Sequence, residues 1–159
     1  MSTEQLFDLA FALAVPSWLL MVVLPGWSWT HRIISSPWIA APPLLVYVAL
    51  LVPQFATFAA PVVGADLAGL TAVLGTAPGA AAIWAHAVGF DLLVGRWMFL
   101  DARERGVHPL VMAPVLVLTI LLSPLGLLSY LLLRSLPVWP GPRRAAGAPS
   151  PAAPRPAAA

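Results

Sequence analysis

The sequence predicts an all-α integral membrane protein: four transmembrane helices in a bundle, with a short interfacial helix between the second and third. Three observations lead there. Of 159 residues, 60% are hydrophobic and only 9% charged, whereas a soluble domain is about a quarter charged. The mean hydropathy is +0.90. Four apolar runs each reach the roughly 20 residues that a helix needs to cross a hydrocarbon core of about 30 Å.

The first run, LFDLAFALAVPSWLLMVVLP, covers residues 6–25 and is closed by Pro25 and Gly26. The preceding MSTEQLFD has Glu4 and Asp8 but no basic residue. A secretory signal needs a positive start, so this run is expected to stay as a span. The second, residues 37–60, follows a polar loop from Ser28 to Ser36. The third covers 80–100 and the fourth 109–134, ending at Arg134. Pro16, Pro42, Pro43, Pro53, Pro114 and Pro124 would break soluble helices, but neighbours in a membrane bundle re-satisfy the freed carbonyls. Between the second and third runs, Leu67, Leu70 and Leu74 fall on one helical face behind Asp66, a candidate cap. That stretch is too short to span and reads as an interfacial helix.

Residues 1–136 thus form the transmembrane domain. Residues 137–159 are Pro/Ala-rich without apolar periodicity and read as a disordered tail. Trp139, Arg143 and Arg144 would hold its start at the headgroups. Trp27, Trp29 and Trp38 bracket the first loop as an aromatic belt. Four spans would place both termini on one side together with Asp8, His86, Gln54, Ser129, Tyr130 and Arg134. Arg32, Arg96, Asp101, Arg103 and His108 would face the other side. Counted near the membrane, Arg134, Arg143 and Arg144 on one side balance Arg32, Arg103 and Arg105 on the other, which leaves orientation open. The expected location is a multi-pass position in a cytoplasmic or inner membrane.

Several functions are excluded. The net charge is only +2, and the scattered arginines do not suit nucleic-acid binding. There is no cysteine, hence no thiolate site or disulfide. The histidines are not at metal-ligand spacing. No phosphate loop, dinucleotide fingerprint or nucleophile elbow is present, so neither metal nor cofactor is implied.

The third run carries the chemistry: His86, Asp91, Arg96 and Asp101 recur every five residues in WAHAVGFDLLVGRWMFLD. Charge at membrane depth is costly and faces a bundle interior. At about 100° per residue from His86, Asp101 lies near about 60°, Asp91 about 140° and Arg96 about 280°. The polar groups therefore spiral, and Asp91 and Arg96 are not an intrahelical pair. Ala81, Ala85 and Gly89 form a small-residue groove where another helix can approach. Arg96 lies on that face, pointing to a neighbouring helix or snorkelling outward. Asp91, beside Trp84, sits near mid-depth with only hydroxyls such as Thr119 and Ser123 at its level. An isolated carboxyl there favours its protonated form, the form a general acid needs.

The run His86-(x4)-Asp91-Leu92-Leu93-Val94-Gly95-Arg96-Trp97, then Asp101 and SPLGLLSYLLLR (123–134), resembles the abscisic-acid-deficient-4-like membrane protein family. The resemblance covers residues 5–134, with Ser123-Pro124 standing where Gly-Pro is expected. It implies a small four-helix protein, and a link to neoxanthin formation from the epoxide violaxanthin or to another polyisoprenoid lipid. In that light Asp91 is the candidate acid, His86 the base or orienting group, and Arg96 the holder of polar or negative charge. Trp84, Phe90, Trp97, Asp101 and Tyr130 are candidate substrate-binding side chains. The lipid bilayer is the certain partner, with a carotenoid or isoprenoid ligand and a homo-oligomer or membrane-protein partner as further expectations. The rival is a non-catalytic subunit that docks another membrane protein through Ala81, Ala85 and Gly89. A weaker rival is a small proton or ion conductor, which the spiralling of the polar groups disfavours.

Overall fold

A computed structural model describes residues 1–64 and 66–136. Within them the chain is helical throughout. Helix α1 (Thr3–Val23) starts with a capping box: Ser2 accepts from the Gln5 amide, and the Gln5 side chain returns the bond to the Ser2 amide. Two orphan donors are thereby satisfied. Helix α2 (Ser28–Ile34) is a short turn beyond the span. A 3₁₀ turn over Pro37–Ala40 leads into α3 (Ala41–Leu51), and a second one, Val52–Gln54, into α4 (Phe55–Val63). Pro53 and the 3₁₀ turn bend this second crossing without interrupting it, and Pro37–Val63 continues as one apolar rod.

Helix α5 (Leu67–Leu74) forms where the leucine spacing places it, and Asp66 caps it by accepting from Ala68 and Gly69 amides. Helix α6 (Ala77–Glu104) is the long central element. Thr76 caps its start, bonding the Gly79 amide at 3.1 Å. Its end is a Schellman turn. Gly106 takes φ +72, its amide meets Arg103 O, and the Val107 amide reaches back to Ala102 O. A residue in that left-handed conformation lets the chain reverse into α7.

Among the described residues, three helices are long and apolar enough to cross a membrane: Thr3–Val23, Pro37–Val63 and Ala77–Glu104. The expected fourth span over residues 109–134 is not one helix. It divides at Leu122 (φ −146, ψ 72) into α7 (Pro109–Leu121) and α8 (Ser123–Ser135). Helix α7 runs back along α6: Met112 lies with Pro25, Phe99 and Ala102, whereas Ile120 lies beside Asp91. Helix α8 then turns round. Ser123 stands within hydrogen-bonding reach of Asp91, and Tyr130 bonds Asp101. The two helices thus make a hairpin that enters and leaves at one end of the bundle, with its tip half-way along α6.

The cause is local. Pro124 lacks the amide that would bond one turn back, and its ring disfavours a helix continuing through from α7. Gly126 supplies the close approach. A Cβ there would lie 2.6 Å from the backbone N and Cα of Thr119, so only glycine permits the two arms to touch. Hydropathy alone cannot register such a turn. Tyr130 and Arg134 are consequently at the Asp101 end, not the N-terminal end that four full spans require.

Helix α6 is wedged between α1 and α3. The Trp18 ring lies directly on Gly95, and Leu44 Cδ2 would stand 2.5 Å from a Cβ on Gly89. Ala81, Ala82 and Ala85 pack with Ala10, Val46 and Leu50 in one cluster, and Leu92, Met98, Leu116 and Tyr130 belong to another. The proposed Pro/Ala tail lies outside the described residues.

Candidate functional site

Two polar centres lie along α6, one at its middle and one at its C-terminal end. At the middle, Asp91 is half-buried and reaches the Ser123 hydroxyl at the hairpin tip, with His86 in electrostatic range. Asp91 opens into a cavity of about 30 Å³ lined by Phe11, Trp18, Trp84, Ala87, Val88 and Ile120. That volume admits a water or two, not a ligand.

The cavity is the narrow floor of a much longer groove. Phe7 and Asp8 line a depression of about 470 Å³ at the N-terminal end of α1 and also the next one, of about 410 Å³, which Trp84 shares. Phe11 and Val15 carry it on into an apolar stretch of about 270 Å³ between α1 and α7, ending at Val22 and Val23. The groove therefore follows the whole of α1, about 30 Å at about 1.5 Å per residue. Trp84 walls it, stacked on Phe7 at 5.2 Å and tilted against Phe11 at 6.1 Å. Phe7, Phe11 and Val15 lie on one face of α1, and Phe7 and Phe11 are exposed there.

At the C-terminal end, Asp101 is a hub. Its Oδ2 accepts from Tyr130 Oη at 2.5 Å, from Arg105 Nε at 2.9 Å and from Arg134 Nε at 3.1 Å. The Arg134 guanidinium lies 5.5 Å from the Trp97 ring centre, and Trp97 meets Tyr130 edge-on at 5.5 Å. Asp101 is therefore engaged by side chains of the protein itself. It joins α6 to the returning arm of the hairpin.

The structure sorts the candidate residues accordingly. Asp91 and Trp84 share the groove. Trp97, Asp101 and Tyr130 assemble at the hub, ten residues further along α6. His86 stacks on Phe90 at 4.5 Å and meets Tyr47 of α3 edge-on at 5.3 Å, on a different face of α6 from Asp91. Arg96 points at a neighbouring element, as its position on the helix wheel predicts. Its Nε donates to Ile34 O at 2.8 Å and its Nη2 to Ser35 O. A cation there closes the C-terminus of α2, where carbonyls lack helical partners. The small-residue groove of Ala81, Ala85 and Gly89 is filled by α3 of the same chain, so it offers no free face to another protein.

Sequence reasoning missed Phe7, Phe11 and Ile120 as groove walls, and Arg105 and Arg134 as partners of Asp101. An i, i+4 Asp101–Arg105 spacing was the available signal for the first pair. For Arg134 there was none while it stood at the opposite end. Among the described residues no three His, Asp or Glu side chains gather as a metal site.

No curated protein and no solved structure matches the chain. The family model described as ABA DEFICIENT 4-like matches residues 5–130, which is most of the 159-residue chain, and the chain belongs to that family.

Proposed function

We propose that the protein holds a long apolar lipid of the carotenoid class in the groove along α1 and isomerises an epoxide presented to Asp91. One observation carries the proposal: a mainly aromatic and aliphatic groove along Phe7 to Val23, about 25 Å long, has a carboxyl at its floor. A lipid enters such a groove sideways from the bilayer without crossing water.

The chemistry needs no co-reactant. Asp91 donates its proton to the epoxide oxygen as the C–O bond breaks, leaving a hydroxyl. A carbon-bound proton leaves to His86, its electron pair forms the new double bond, and the product is an isomer of the substrate. Proton return from His86 to Asp91 resets the site, with Ser123 holding the carboxyl in place. Arg96 acts in this scheme through α2, as a positioning residue.

Purified protein titrated with an epoxide-bearing xanthophyll tests both parts. Trp18 and Trp84 line the site, so binding quenches tryptophan emission, and conversion appears as a changed absorption spectrum. Asp91→Asn keeps the quenching and loses the conversion. Absence of quenching, together with an unchanged carotenoid profile in a deletion strain, sinks the proposal.

A further inference from the structure

The hairpin redistributes charge in a way that four spans would not. All five arginines among the described residues fall at one end. Arg96 closes α2, Arg103 Nη1 donates to Pro25 O at 2.7 Å, and Arg105 and Arg134 share Asp101. Arg32 lies over the Trp29 ring at 5.3 Å. Against these five stand only Asp101 and Glu104, a net of +3 at that end. Among the described residues the opposite end carries Glu4, Asp8 and Asp66 and no lysine or arginine. Trp27, Trp29 and Trp38, exposed by 49%, 52% and 78%, ring the arginine end, as aromatic side chains do at headgroup level.

We propose that this end, built from α2, the α6–α7 turn and the last turn of α8, is a docking surface for anionic phospholipid headgroups. It faces the cytoplasmic leaflet, with the N-terminus and Leu136 on opposite sides of the bilayer. Basic residues flanking spans are retained on the cytoplasmic side, and the anionic surface there attracts them. Asp101 neutralises Arg105 and Arg134 in part. The exposed Arg32 and Arg103 are left as the principal headgroup contacts, each with spare donors beyond its bond or stack. The inference rests on the arginine distribution and holds whether or not the groove takes a carotenoid.

The absence of cysteine makes a direct test available. Ser28→Cys, Ala68→Cys and Ser135→Cys are introduced singly and probed with a membrane-impermeant maleimide in spheroplasts of a bacterial host. Ala68→Cys reacts in intact spheroplasts, while Ser28→Cys and Ser135→Cys react only after permeabilisation. Labelling of Ser135→Cys from the same side as Ala68→Cys overturns the topology. Reaction of Ser28→Cys and Ser135→Cys in intact spheroplasts overturns the orientation. For the lipid, unfolding midpoints are compared in phosphatidylcholine vesicles with and without phosphatidylglycerol. Phosphatidylglycerol raises the midpoint of the parent, and Arg32→Gln with Arg103→Gln removes most of that rise, as does high salt. A rise in the double variant equal to the parent's overturns the headgroup assignment.

Discussion

Asp101→Asn is the sharpest probe of how the hairpin is held. The substitution keeps the size and removes the charge, so Tyr130 still finds an acceptor while two guanidiniums lose their counter-ion. The Arg105 and Asp101 side chains are 17% and 16% exposed, and that of Arg134 is 36% exposed. Hydrogen bonds to charged groups contribute about 1.5–3 kcal/mol when buried, and exposed ion pairs about 0.2–1 kcal/mol. With this partial exposure each pair is worth about 1 kcal/mol, and the two together about 2 kcal/mol, roughly thirtyfold in the folding equilibrium. The assay is denaturant unfolding in detergent followed by tryptophan emission. Trp97 sits 5.5 Å from both Arg134 and the Tyr130 ring, so its environment changes first as α8 leaves α6. Arg134→Gln in the Asp101→Asn background adds little, because the pair is already broken. Glu104→Gln, at an exposed side chain that takes part in neither ion pair of the hub, leaves the midpoint unchanged. An Asp101→Asn midpoint equal to the parent's, or fully additive losses in the double variant, refutes the claim that Asp101 locks the hairpin.

Three further outcomes follow from contacts elsewhere. Gly126→Leu forces α8 off the Thr119 backbone, and its overpacking cost exceeds the typical range of about 1–3 kcal/mol, whereas Gly26→Ala, with nothing within 4 Å, is neutral; thermal unfolding of both in detergent checks this. Arg96→Ala leaves the Ile34 and Ser35 carbonyls without a donor and lowers stability by about 1–2 kcal/mol, and Arg96→Lys restores only part because an ammonium cannot reproduce the fork. The readout is proteolysis within α2, which speeds up in Arg96→Ala. Gly106→Ala, at φ +72, costs about 1 kcal/mol through left-handed strain and shows as a lowered unfolding midpoint, with the groove residues untouched.

How far the fold was legible follows from which physical signals act over short range. Asp66 as a cap and the Ala81, Ala85, Gly89 stripe each declare themselves by spacing along one helix, and each does what its spacing implies. The length of the apolar runs likewise declares the three crossing helices. The hairpin is different in kind. Residues 109–134 are apolar enough to cross, and a hydropathy window has no term for a chain that turns back at mid-depth. Its signals were present but small: a proline at 124 following Ser123, and a glycine at 126 whose missing Cβ matters only because Thr119 lies against it. Misplacing that one turn put Tyr130 and Arg134 at the wrong end. It split the arginines into an apparent tie and left Asp101 without its partners. The same fold-back that brings Arg134 to Asp101 delivers Ser123 to Asp91 and lines up Ile120 with Trp18 and Trp84 beside it. A carboxyl that the sequence places alone in an apolar helix is therefore held by a hydroxyl at a hairpin tip and opened toward a groove on its other side. The non-helical Leu122 survives at mid-depth, where lipid offers its backbone no hydrogen bond, because its amide donates to Leu118 O at 2.7 Å and its carbonyl accepts from the Leu125 and Gly126 amides.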